Sequence, residues 1–121
     1  MPANGDELIA ALGELRAKLH AALPGASAQA ALVIQAAGMR KTPVKTGALR
    51  RSWHIEPFGE GTRVAPTMIY ARRIELGFHG PDKLGRVYHQ AGKPYVKPAF
   101  DESRIAARNV AIRTISAALI R

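Results

Sequence analysis

Leu8, Leu12, Leu15, Leu19 and Leu23 follow one another at spacings of four, three, four and four, which draws a single apolar stripe along an α-helix. Asn4 or Asp6 suits its cap, and Asp6, Glu7 and Glu14 lie at or near its positive end. Pro24-Gly25 predicts a stop or a kink. A second helical segment is expected over about 26–40, rich in alanine and carrying Leu32, Val33 and Met39. Its small residues predict close packing against another backbone. Arg40 and Lys41 favour the negative end of its dipole, and Pro43 prevents its continuation.

From Leu49 the period changes to two. Leu49, Arg51, Trp53, Ile55 and Pro57 alternate with Arg50, Ser52, His54 and Glu56, the pattern of a half-buried strand. Phe58-Gly59-Glu60-Gly61 predicts a turn, and residues 62–66 a second strand that completes a hairpin. Met68 to Leu76 reads as a short helix ended by Gly77. Residues 78–93, with Gly80-Pro81, Gly85 and Gly92, read as a loop or loose hairpin, briefly extended at Arg86-Val87-Tyr88. Pro94 to Lys97 is short and extended, and Pro98 suits the first turn of a last helix. In that helix Phe100, Ile105, Val110, Ile112, Ile115 and Leu119 supply apolar contacts, and Arg104, Arg108 and Arg113 the wet face.

The expected fold class is α+β: N-terminal helices, a small antiparallel β-sheet with an inserted short helix and long loop, and a C-terminal helix. A chain of 121 residues is expected to form one domain. Within it residues 1–41 are the helical N-terminal part, 48–97 the sheet and loop, and 98–121 the C-terminal helix. Aromatic residues make up only 6% of the chain, so Ala, Leu, Ile and Val are expected to carry the core.

Charge adds the strongest compositional signal. The net charge is +9, and twelve Lys and Arg against four Asp and Glu put a net of +8 on residues 40–97. Such a field attracts polyanions or an acidic protein surface. There is no cysteine, so disulfides and thiolate zinc sites are excluded. The first residues lack the basic-then-apolar order of a signal peptide, and no apolar run approaches the length of a bilayer span; no membrane partner is expected.

Catalytic chemistry has no starting point. Gly-x-Ser-x-Gly and paired-carboxylate signatures are absent, so the reading is that the chain is not an enzyme and needs no cofactor. His20, His54, His79 and His89 do not form a metal-ligand spacing, and no metal site is expected. Pro43, Thr46 and Gly47 are read as a structural turn, with Gly47 suited to a positive φ. Trp53, Tyr70 and Tyr95 are read as core. Lys41 and Lys45, near that turn, suit phosphate contacts. On a strand Arg50 and Arg51 would face opposite ways, and Arg50 shares the polar side with Ser52 and His54. Glu75 beside Arg72 and Arg73 suggests a salt bridge, within the domain or to a neighbouring subunit.

Three separated blocks add a resemblance. Lys41-Thr42-Pro43-Val44-Lys45-Thr46-Gly47-Ala48-Leu49-Arg50-Arg51-Ser52-Trp53 resembles the Pro-Val-Asp-Thr-Gly-x-Leu-Arg-x-Ser signature of the small neck proteins of long-tailed bacteriophages, the head–tail joining or tail-completion family. Tyr70-Ala71-Arg72-Arg73-Ile74-Glu75-Leu76-Gly77 is similar to that family's Tyr-Ala-x-x-x-Glu-x-Gly, and Pro94-Tyr95-Val96-Lys97-Pro98-Ala99 to its Pro-Phe-Leu-Arg-Pro-Ala. Lys45 stands where the family carries Asp, and Tyr95 where it carries Phe.

The resemblance implies a structural virion protein of the neck, assembled in the bacterial host cytoplasm. It implies a ring, hexameric or dodecameric, between head-completion and tail-tube proteins, through which double-stranded DNA passes without base-specific contact. Lys41, Lys45, Arg50 and Arg51 would face the DNA lumen or an acidic partner. A subunit interface would draw on Arg72, Arg73, Glu75, His79, Lys83, Arg86 and Tyr88. The rival expectation is a free basic nucleic-acid-binding module, which the charge supports but which lacks a helix-turn-helix signal, a stacking platform or zinc spacing.

Overall fold

The computed structural model describes residues 5–44, 47–81 and 83–120. Along the chain run α1 (Gly5–Lys41), α2 (Ala48–Arg51), β1 (Trp53–Phe58), β2 (Gly61–Pro66), α3 (Ala71–Leu76), β3 (Gly77–Pro81), β4 (Val87–Ala91) and α4 (Val96–Ile120). The class is α+β, with two antiparallel hairpins, β1–β2 and β3–β4, in place of one small sheet.

The two expected N-terminal helices are one helix of 37 residues, and Pro24 lies inside it. Proline removes an i→i−4 bond at a cost of about 3 kcal/mol. Tertiary contacts on both sides of the proline offset that cost. His20 Nδ1 lies 2.7 Å from the Glu60 carboxylate, and the Ser27 and Thr62 hydroxyls are 2.8 Å apart. Both partners sit at or beside the β1–β2 turn, so that hairpin braces α1 across its weak point. Replacing Pro24 with alanine should therefore raise the unfolding free energy by about 2 kcal/mol, read as a higher urea midpoint; an unchanged or lower midpoint would mean that the brace depends on the proline's geometry.

Beyond Pro24, α1 packs against α4 through small side chains. Ala26, Ala31, Ala37 and Gly38 are buried on α1, and Ala99, Ser103 and Ala107 on α4. The helices run antiparallel: Arg40 and Lys41 reach Glu102 near the start of α4, while Ala21 and Ala22 lie by Ala117 and Ala118 near its end. Lys41 Nζ is 2.9 Å from Glu102, and its hydrogen bond and charge, with Arg40 beside it, hold that carboxyl below the ordinary value.

The expected strand from Leu49 begins only at Trp53. Leu49, Arg50 and Arg51 form the helical turn α2 instead, closed by the Ser52 hydroxyl on the Leu49 carbonyl at 2.7 Å. Leu49 and Trp53 are both buried, four residues apart, a spacing that fits a helical turn as well as alternation. Arg50 and Arg51 are both exposed, so the opposite-faces argument does not apply to them. The alternation holds from Trp53 to Glu56, with Trp53 buried, Ile55 half-buried and His54 and Glu56 exposed; Pro57, expected on the inward side, is exposed, and β1 pairs with β2 from Trp53↔Pro66 to Phe58↔Gly61.

Alanine carries most of the core, with Ala26, Ala31, Ala37, Ala71, Ala99 and Ala107 buried beside Leu49 and the two aromatics Trp53 and Tyr95. The core cluster is Leu49, Trp53, Ala71 and Tyr95, flanked by Met39, Val64, Met68, Tyr70, Ile74 and Val96. Trp53 and Tyr95 meet edge to face with centroids 6.3 Å apart. The leucines of the N-terminal stripe stay outside it: Leu8, Leu12, Leu15 and Leu19 are all exposed. Ile105 and Ile112 of α4 also face outward, at 65% and 47% exposure, while Val110, Ile115 and Leu119 are half-buried.

Candidate interaction surface

The three sequence blocks converge on the core cluster. The first supplies Leu49 and Trp53, the second Ala71, the third Tyr95. Thr42, buried at the end of α1, accepts a 2.7 Å hydrogen bond from Trp53 Nε1 and donates to the Gly38 carbonyl at 2.6 Å. A side chain at position 38 would collide with the Trp53 ring, so glycine there lets the indole lie flush on the helix. Neither Thr42 nor Gly38 stands out in the sequence, because a glycine inside an alanine-rich helix carries no periodic signal.

Glu75 joins the second block to the third. Its carboxylate accepts hydrogen bonds from the amides of Tyr95 at 2.6 Å, Val96 at 2.9 Å and Lys97 at 3.2 Å, and so caps the start of α4 from a distant element. Partial burial raises the carboxyl's pKa, but the three amides outweigh it and the net shift is below the ordinary value. Within the domain capping takes the place of the expected salt bridge to Arg72 or Arg73, and Arg73 stacks over the Phe78 ring at 3.9 Å. The Tyr95 hydroxyl donates to the Ala71 carbonyl at 3.2 Å. Burial, then the nearby Glu75 and Tyr70, push its pKa up to about 12, so it remains a donor across the physiological range. Tyr95→Phe should cost only about 1 kcal/mol in a denaturation experiment, the value of one such bond; a loss above 3 kcal/mol would show that the hydroxyl organises more than Ala71.

Outside this core α2 and α3 carry exposed arginines. Gly47, at φ 82°, takes the left-handed conformation that turns the chain into α2. Pro43, Val44, Gly47 and Leu49 face Tyr70, Ile74, Gln90 and Lys93 across a cleft of about 500 Å³. Arg50 and Arg51 on α2, and Arg72 on α3, have no carboxylate partner among the described residues, whose acids nearby are engaged elsewhere: Glu56 with Arg63, Glu60 with His20, Glu75 with amides. Lys41, expected to act with Arg50 and Arg51, forms an exposed ion pair with Glu102. Lys45 and Thr46 lie outside the described residues.

The expected interface residues on 78–93 fall on the second hairpin. His79 of β3 pairs across to His89 of β4, with rings 5.8 Å apart. Lys83 and Arg86 are exposed in the connection, and Tyr88 pairs through its backbone with Gly80, its side chain outside the description. The Lys93 amide bonds the Ile74 carbonyl at 2.7 Å and ties the hairpin to α3. Among the described residues no group of three or more His, Cys, Asp or Glu could hold a metal ion, and no helix is long and apolar enough to cross a membrane.

The fold that the three blocks define is a helix-clamped α+β unit with two antiparallel hairpins and exposed arginines on α2 and α3. Residues 6–97 match the family described as "Bacteriophage HK97-gp10, putative tail-component". The chain belongs to this HK97-gp10-like family of phage tail components. No curated relative and no solved structure matches it. The match takes in the first helix from residue 6, the first two blocks, and the third as far as Lys97.

Proposed function

We propose that this chain is a structural virion protein of the phage neck that forms a homo-oligomeric ring, hexameric or dodecameric, at the head–tail junction, as a tail-completion, tail-terminator or connector subunit. The observation that carries this reading is the family match over residues 6–97. In this reading the ring sits between head-completion and tail-tube proteins and is assembled in the host cytoplasm. Double-stranded DNA passes through its lumen.

The cationic residues support a lumen or acidic-neighbour role. Arg50, Arg51 and Arg72 are exposed and meet no carboxylate among the described residues. Sparse phosphate contacts without base readout suit DNA that must slide. The protein's work is then positional, and no catalytic step is assigned to it.

A free basic nucleic-acid-binding module is the competing reading, favoured by the net charge of +9. DNA binding by the isolated chain separates the two. For a neck subunit the expected result is weak binding, with a Kd of about 10⁻⁵ M at physiological salt and steep salt dependence. Binding a thousandfold tighter would favour the free module.

A further inference from the structure

The cleft of about 500 Å³ beside α2 brings two kinds of surface together. One wall is apolar, made by Pro43, Val44, Leu49 and Ile74. Val44 is 56% exposed there. The side chains of Tyr70, Gln90 and Lys93 line the same space, and none of the three has a hydrogen-bond or ion-pair partner among the described residues. All three can donate hydrogen bonds, and Lys93 adds a positive charge. A second cation lies close by: the Arg51 guanidinium rests against Gly47, with Nη1 2.8 Å from where a side-chain carbon on that glycine would sit. Among the described residues no carboxylate lines the cleft.

Backbone bonds hold these groups in place. The Ile74 amide donates to the Tyr70 carbonyl at 3.2 Å, the Lys93 amide to the Ile74 carbonyl at 2.7 Å, and the Arg51 amide to the Gly47 carbonyl at 3.0 Å. The volume falls within the range of preformed ligand sites.

This combination separates a protein ligand from DNA. A duplex offers phosphates but no apolar side chain to fill the space between Val44, Leu49 and Ile74. A protein segment supplies both parts, an apolar anchor for the pocket and a carboxylate for the cations at its edge. Most of the chain's own carboxylates are already engaged within the subunit: Glu56 with Arg63, Glu60 with His20, Glu75 with amides, Asp101 with Lys97 and Glu102 with Lys41. A different protein is therefore the better source than a second copy.

We propose that this cleft receives a short acidic and apolar segment of a neighbouring protein. Its apolar side chain lies between Val44, Leu49 and Ile74, and its carboxylate meets Lys93 and Arg51. The proposal rests on the neck reading above and gives the chemistry of one contact with a neighbour.

The test is photocrosslinking of the full chain inside the host that assembles the particles. Val44→p-benzoylphenylalanine is irradiated in assembled particles, and the captured peptide is sequenced by mass spectrometry. The expected capture is one segment of a neighbouring neck protein with an Asp or Glu next to an apolar residue. Lys93→Glu should cut the crosslink yield about tenfold, and exchanging the captured acid for lysine in that background should restore it. Arg113→Glu, near the far end of α4, should leave the yield unchanged. Gln90→p-benzoylphenylalanine is used if the first variant loses its helical circular dichroism. Capture of DNA, of a second copy of this chain or of a segment without a carboxylate overturns the proposal. So does a yield that Lys93→Glu does not change. No crosslink from either folded variant in particles that hold a ring of this chain overturns the cleft and leaves the neck reading standing. Capture of an acidic segment from a protein outside the neck does the reverse.

Discussion

Trp53→Ala should remove about 4 kcal/mol of stability, the largest loss expected from any single truncation in this chain. The indole is 3% exposed, meets Tyr95 edge to face and lies against α1 where Gly38 leaves room for it. Truncation also strips the partner from Thr42 Oγ1, a buried hydroxyl at the end of α1. Because the ring joins α1, β1 and the start of α4, the loss should appear as one cooperative shift in urea unfolding rather than local fraying. Trp53→Phe keeps an aromatic body but leaves Thr42 without its donor, and should cost about 2 kcal/mol. A loss below 1 kcal/mol for the alanine variant would contradict the core assignment.

Glu75→Gln comes second, with an expected loss of about 2 kcal/mol near neutral pH. Glutamine keeps an acceptor oxygen but loses the negative charge facing the positive end of α4. The pH dependence has a definite sign. The folded carboxyl's pKa lies below its ordinary value of 4.5, so its contribution is full above that value and is lost as pH falls through the lower folded value. The gap in unfolding free energy between wild type and Glu75→Gln should therefore narrow as pH falls from about 6 to about 3. A gap that stays constant over this window would mean that the glutamine acts through packing and not through charge.

Much of this architecture is legible in the sequence because it is written in local periodicity and turn chemistry. The β1–β2 hairpin follows from alternation after Trp53 and the glycine-rich turn. Gly77 ends α3 where its position suggests. What sequence spacing does not reveal is long-range. Pro24 signals a break by its own backbone chemistry, yet contacts from Glu60 and Thr62 keep the helix continuous. Leu49 to Arg51 alternate like a strand, but Ser52 closes them into a turn. The leucine stripe looks like core because helical periodicity reports a face and not what covers it. At the surface, Arg50, Arg51 and Arg72 are found from charge alone, whereas the pairing of Lys41 with Glu102 depends on how α1 and α4 pack. The capping role of Glu75 is hidden for the same reason: its partners lie twenty or more residues away.

Electron cryomicroscopy of tailed particles from the host that encodes this chain decides whether this member of a tail-component family is a ring-forming neck subunit. The expected result is a ring of this chain between portal and tail tube, with Arg50 and Arg51 facing either the DNA path or an acidic neighbouring ring. Intact particles in which the junction contains no copy of this chain would contradict it.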